Sequence, residues 1–195
     1  MPIYVGSRGP HVLELAGELA DGVIVGNLAS TDGWRYALDH IAKGAERAGR
    51  KLNELLLTAW VYFAVADERS DALDAVRPRV ATSLVTSRSI LHELGIELQP
   101  RFAETMEHMD RSLEAGAIEA AGRLVPDETV ARFAVAGTPA DCGARLQELL
   151  RAVPLIGQVV IVPAASRGED DADVLRRFML EVVPLFATQP AAEAR

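Results

Sequence analysis

Pro2-Ile3-Tyr4-Val5-Gly6-Ser7-Arg8-Gly9-Pro10 runs directly into His11-Val12-Leu13-Glu14-Leu15-Ala16-Gly17-Glu18-Leu19-Ala20, and then into Asp21-Gly22-Val23-Ile24-Val25-Gly26. This reads as a short apolar strand, a glycine-flanked turn, an amphipathic helix and a second apolar strand. Such a βαβ unit implies a parallel sheet. Its first turn, Gly6-Ser7-Arg8-Gly9, ends a strand at the edge where parallel-sheet proteins bind ligands. Small residues there let backbone N–H groups approach an anion at a helix N-terminus. Arg8 adds a guanidinium, and Ser7 a hydroxyl. A tight turn that needs glycine for its backbone angles explains the same residues equally well. The stretch is neither G-x-G-x-x-G nor a P-loop, because no Lys-Ser/Thr follows.

Outward from this unit, apolar runs of strand length recur at 55–65, with Val61, Tyr62, Phe63 and Val65, and at 158–162, Gln-Val-Val-Ile-Val. Runs that are continuous rather than alternating predict burial on both faces. Helical stripes lie between them. Val12, Leu15, Ala16 and Leu19 form one, and Trp34, Leu38, Ile41 and Ala45 another that stops near Gly49. A long helix is expected over 70–94, capped by Gly95 and kinked or split by Pro78. Helical pieces at 101–113, 114–121 and 127–133 make 96–136 a helical insertion. Thr138-Pro139 with Asp141 marks the next helix start, and a last helix follows over 170–186. The expected organisation is one half-barrel-sized domain over 1–188 and a flexible tail over 189–195.

With 195 residues, 49% hydrophobic and 25% charged, the chain has enough apolar content for one folded domain. A net charge of -8 argues against nucleic acid or an anionic membrane surface as the main partner. It does not exclude a small anion held by a local cluster of donors. Cys142 is the only cysteine, so neither an intrachain disulfide nor a cysteine zinc site is available. No run approaches the ~20 apolar residues of a membrane span, and no secretion signal is legible. A cytoplasmic setting is expected.

Other polar positions carry less. Asn27 and Ser30 end the second strand on the ligand edge, although one of Ser30, Thr31 and Asp32 is expected to cap the next helix. Ser166 and Arg167 sit in a second small-residue loop, 163–168, read chiefly as a helix cap and solvated loop. His11 lies near the first turn. Glu104 and His108 share a helix face but lack a third ligand. Cys142 is read as a half-buried small residue rather than a stabilised thiolate. Glu169-Asp170-Asp171 decorates a helix start. No catalytic acid, base or nucleophile stands out, and no metal site is expected.

The Gly-Ser-Arg-Gly-Pro turn followed by Leu15-Ala16-Gly17-Glu18-Leu19-Ala20-Asp21-Gly22-Val23 resembles the luciferase-like monooxygenase family. So does Gly137-Thr138-Pro139-Ala140-Asp141-Cys142 leading to a final apolar strand. The branch it looks most similar to is the deazaflavin-dependent reductases related to methylene-tetrahydromethanopterin reductase. The resemblance implies a TIM (β/α)₈ barrel that binds flavin mononucleotide (FMN) or coenzyme F420 at its C-terminal face. Gly6, Ser7, Arg8, Gly9, Gly26 and Asn27 would meet the cofactor phosphate. The matching strands are the fifth to eighth of the family barrel. The expectation is therefore an α/β chain of parallel β/α units forming the C-terminal half of the barrel, an incomplete chain.

Three functions follow as alternatives. The first is a flavin- or deazaflavin-dependent oxidoreductase or monooxygenase acting on a small-molecule substrate. The second is a non-catalytic half-barrel that binds phosphate or flavin and self-associates. The third is a structural fragment. Exposed strand edges predict a homo-oligomer or a complementary half-barrel as partner.

Overall fold

The computed structural model describes residues 1–98, 100–109 and 115–186, without the side chains of 106–109 and 115. The tail expected from 189 onward and the middle of the insertion, 110–114, lie outside these residues.

Five strands form one parallel sheet: β1 Tyr4–Ser7, β2 Gly22–Gly26, β3 Leu56–Val65, β4 Ala134–Gly137 and β5 Ile156–Pro163. The long strand β3 organises it. β2 pairs with residues 56–60 of β3, β4 with 62–65 and β5 with 57–63. A strand has two edges, so β2 and β4 must follow one another along one edge while β5 takes the other. β1 pairs with β2, which leaves an open sheet with β1 and β5 outermost.

Helices α1 Pro10–Leu19 and α2 Thr31–Arg47 follow β1 and β2. After β3 come α3 Arg69–Thr86, α4 Pro100–Met109, α5 Ala115–Gly122 and α6 Asp127–Phe133. Helix α7 Pro139–Ala152 joins β4 to β5. The last segment is α8 Asp171–Arg177, a π-helical turn Phe178–Val182 and α9 Val183–Phe186. Local chemistry fixes the starts. The Ser30 hydroxyl accepts from the Gly33 N–H at 3.2 Å. Thr138 with Asp141, and Asp170 with Asp173, form reciprocal capping boxes. Helices α1 and α2 cross closely enough that a Cβ on Gly17 would lie 2.1 Å from the Ile41 carbonyl oxygen.

Four expectations need correction. The segment read as insertion, 96–136, ends in a strand: Ala134–Gly137 pairs with Tyr62–Val65. Ala-Val-Ala-Gly is too short and too poor in β-branched residues to signal a strand by itself. Helix α3 continues through Pro78 without splitting and instead ends at Thr86, followed by a 3₁₀ turn at Arg88–Ile90 and Gly95 at φ 64°. Pro78 forfeits one main-chain hydrogen bond, and Gly122 packs so closely there that a Cβ on it would lie 3.0 Å from the Pro78 nitrogen.

The stripe on α1 is displaced by one position. Leu13, Ala16 and Gly17 are buried, whereas Val12, Leu15 and Leu19 are exposed. Finally, burial of the sheet is one-sided over its lower half. Leu57, Ala59, Val61 and Phe63 of β3 are buried beneath helices with Val23 and Val25, while Tyr4, Leu56 and Trp60 on the other face stay open, Trp60 by 39%. β3 therefore has one covered face and a second on which Leu56 and Trp60 stay exposed while Thr58 and Ala64 are buried.

Candidate functional site

At the C-terminal edge of the sheet, β1, β2, β3 and β5 and the C-terminal half of α3 line a cleft of about 670 Å³. All six residues singled out in the sequence line it: Gly6, Ser7, Arg8, Gly9, Gly26 and Asn27. Ile24, Trp60, Tyr62 and Val162 supply its apolar floor, and Arg79 and Thr86 come from α3.

Arg8 is the centre of this geometry. Its Nη2 donates to the Thr86 hydroxyl at 2.5 Å and to the Ser83 carbonyl at 3.5 Å. Both partners are neutral. Burial pulls the Arg8 pKa below the usual arginine value, with Tyr62 acting in the opposite direction; the guanidinium remains a cation. The main chain of Arg8 is held from another side, because the Tyr36 hydroxyl of α2 donates to its carbonyl at 3.0 Å. Burial, and then the field of Glu93, push the Tyr36 hydroxyl up to about 12, so it stays a donor at neutral pH. Arg79 brings a second cation to the wall, and among the described residues no aspartate or glutamate lines the cleft. In a chain of net charge -8, this is a local positive site suited to an anion.

The glycines have no internal reason to be glycine. Gly6, Gly9 and Gly26 lack positive φ, and a Cβ on any of them would meet nothing closer than 3.7 Å. The turn-geometry explanation therefore fails at these positions, all three of which line the cleft. The Gly9 N–H is not free for a ligand, since it donates to Ser7 Oγ at 3.0 Å. Asn27 closes β2 in the left-handed region at φ 53°, with its N–H donating to the Trp60 carbonyl at 2.7 Å. Its side-chain oxygen is buried and has no partner, an orphan of the kind a bound donor satisfies.

Other sequence candidates lie elsewhere. Ser30 is used as a helix cap, and His11 is exposed and outside the cleft lining. The His108 side chain lies outside the described residues. Ser166 and Arg167 line a different cleft, of about 760 Å³, between α3, α5 and the loop after β5. There Arg77, Arg123 and Arg167 are mixed with Asp71, Asp74 and Glu119, so no single sign of charge dominates. Cys142 is fully buried, not half-buried, and burial pushes its thiol up to about 12. Among the described residues no three His, Cys, Asp or Glu side chains could hold a metal ion, and no helix is long and apolar enough to cross a membrane.

Sequence reading missed Trp60, Tyr62, Arg79 and Thr86. Strand alternation would have found the first two, because Trp60 and Tyr62 share the face of Gly26 through the register Gly26↔Trp60. Nothing in the sequence marks Arg79. It also missed a polar cluster behind the site. His40 of α2 sits edge-on to Tyr36 at 4.9 Å, with its Nδ1 3.0 Å from Glu14 and its Nε2 3.4 Å from Glu93.

The sequence signature of a family described as luciferase-like monooxygenase matches residues 1–154. A 5,10-methylenetetrahydromethanopterin reductase of Methanopyrus kandleri is 30% identical over 187 residues, 95% of this chain and 51% of that protein. The enzyme of the same name from Methanolobus tindarius is 32% identical over 94% of this chain and 54% of its own length. The solved structure of a coenzyme F420-dependent tetrahydromethanopterin reductase from Methanopyrus kandleri superposes with a TM-score of 0.74 at 29% identity, over 95% of this chain and 51% of that one. An F420-dependent secondary alcohol dehydrogenase shares the fold, with a TM-score of 0.67 at 17% identity over 95% of this chain and 49% of its own. The chain thus spans about half the length of the curated relatives it matches.

Proposed function

We propose, from the premise that this chain belongs to the luciferase-like monooxygenase family, that its cleft holds the phosphate end of a flavin or deazaflavin in an oxidoreductase. The carrying observation is the Arg8 guanidinium. It is fixed by neutral partners beside a second arginine, in a cleft lined by three glycines and, among the described residues, by no carboxylate. Asn27 offers an acceptor to the same ligand.

Coenzyme F420 is the cofactor we favour, because the relatives near 30% identity include an F420-dependent reductase; FMN is the alternative. Such a cofactor supplies hydride transfer at its ring system when bound. The residues of this chain bind and orient: Arg8 pairs with the phosphate charge, Ser7 donates its hydroxyl proton, and Trp60 and Tyr62 give an apolar aromatic floor. The substrate is a small molecule, and a cytoplasmic setting suits a chain whose one thiol is buried. The partner is a second copy or a complementary half-barrel.

One observation favours a second reading, binding without catalysis. Among the described residues, the cleft lining holds no histidine, aspartate or glutamate to serve as a general acid or base. Titration with F420 and with FMN, followed by substrate-dependent bleaching of the bound cofactor, separates the two. Binding with bleaching supports the oxidoreductase, and binding without bleaching supports the binder. No binding of either cofactor overturns both.

A further inference from the structure

Two flanks of the molecule are left apolar, and their features match in kind and in level. On one flank β1 is the outer strand, Tyr-Val-Gly-Ser with no charge, and Ile3 just before it is exposed. The helix on that flank, α1, turns Gly17 and Glu14 toward α2, where they meet Ile41, Gly44 and His40. Its other side carries Val12, Leu15 and Leu19, all exposed, Leu15 by 52%.

On the opposite flank β5 is outermost, Ile-Gly-Gln-Val-Val-Ile-Val-Pro, again without charge. Leu155 just before it is exposed. The segment behind β5 buries Val174, Phe178 and Val182 and exposes Leu175 and Met179, Met179 by 60%. Edge strands of soluble proteins are ordinarily guarded by charges, prolines or bulges. Here β5 has a register shift at its start and Pro163 at its end, and β1 has neither a charge nor a proline.

We propose that these flanks join two copies of the chain, with β1 of each copy beside β5 of the other and α1 beside α8 of the other. The width of the sheet carries the argument. At the level of Thr58 the row is Gly6, Ile24, Thr58 and Gln158, four strands across. Two such rows joined at both edges make eight, the number at which parallel β/α units close into a barrel whose interior side chains fill. A twofold axis along the barrel produces both seams at once and covers the outer edges of β1 and β5.

The same closure covers the open face bearing Tyr4, Leu56 and Trp60. It also brings the 163–168 loop of the second copy beside the Gly6–Gly9 turn, so the cleft gains a wall. This commits the association proposed above to a second copy, and it holds whether or not a cofactor binds.

Sedimentation of the purified chain tests it, with cofactor binding followed separately by absorbance. The expected result is a species of twice the 21.0 kDa chain mass at micromolar concentration. Replacing Leu15→Glu and Met179→Glu, both on the surface of the single copy, weakens association by at least about a hundredfold with unchanged circular dichroism. Mild oxidation of an Ile3→Cys, Leu155→Cys variant gives a covalent dimer, because the two positions meet only between copies. A monomer at tens of micromolar overturns the proposal. So does a dimer indifferent to the substitutions and to cross-linking, and so does assembly that requires a different chain.

Discussion

The Tyr36 hydroxyl donates to the main-chain carbonyl of Arg8 at 3.0 Å, tying the middle of α2 to the turn that begins α1. Because the Arg8 side chain is separately held by Thr86 and Ser83 of α3, one residue is clamped by two helices from different parts of the sequence. Rigid placement of this kind lowers the ordering cost when a ligand arrives.

Removing the hydroxyl alone tests the clamp. Tyr36→Phe is expected to cost about 1 kcal/mol of stability, one hydrogen bond's worth. Cofactor affinity is expected to fall by about tenfold, since the turn loses its anchor. The paired readout is a urea midpoint and a binding titration; a change in stability with no change in affinity separates Tyr36 from the site.

The glycines divide into two kinds with opposite expectations. A Cβ on Gly44 would lie 1.7 Å from the Glu14 carbonyl oxygen, so Gly44→Ala forces α1 and α2 apart at a cost of about 2–3 kcal/mol. A Cβ on Gly26 has only Arg8 Nη1 nearby, at 4.0 Å. Gly26→Ala should leave stability within about 0.5 kcal/mol while reducing cofactor affinity. Thermal melts of the two variants, with a titration of Gly26→Ala, check both halves.

Stability should fall in acid partly through Glu14. Hydrogen bonds from His40, then from Arg47, hold its carboxyl below the usual 4.5. A depressed carboxylate contributes stability that is present above its unfolded pKa and lost as pH falls through its lower folded value. Urea midpoints from neutral pH down to about pH 3 should therefore decline less steeply in Glu14→Gln than in the parent. Equal slopes would remove Glu14 from the account.

Cys142 is expected to be inert. With its thiol raised to about 12 by burial, a thiol-reactive disulfide should modify it slowly in native protein at about pH 8 and rapidly once urea unfolds the chain. Fast native modification would contradict the packing of α7 against β3.

Much of this architecture was legible because the βαβ unit at the start is written in local terms: apolar strand, small-residue turn, periodic helix. Thr138 announced itself as a helix cap for the same reason. The rest depended on partners distant in sequence. Ala134–Gly137 pairs as a strand with the top of β3, and Gly122 packs close to the backbone of Pro78 within α3. The α1 stripe failed at Val12, Leu15 and Leu19, which periodicity placed inward and which the sheet does not cover.

At the site, the six residues that line the cleft were legible because they end β1 and β2 at the ligand edge of a parallel sheet. Arg79 and Thr86 were not, since α3 reaches the turn across more than seventy residues of sequence. The Glu14–His40–Glu93 cluster was hidden likewise, as its members come from three separate segments.

The most direct test of the central claim is an equilibrium titration of the purified chain with coenzyme F420, in parallel with an Arg8→Ala variant. The account predicts saturable binding by the parent and a loss of about a hundredfold in the variant, the cost of removing a charge-assisted pair, with both proteins equally folded. Equal affinity in the two, or binding by neither with F420 or FMN, would contradict it.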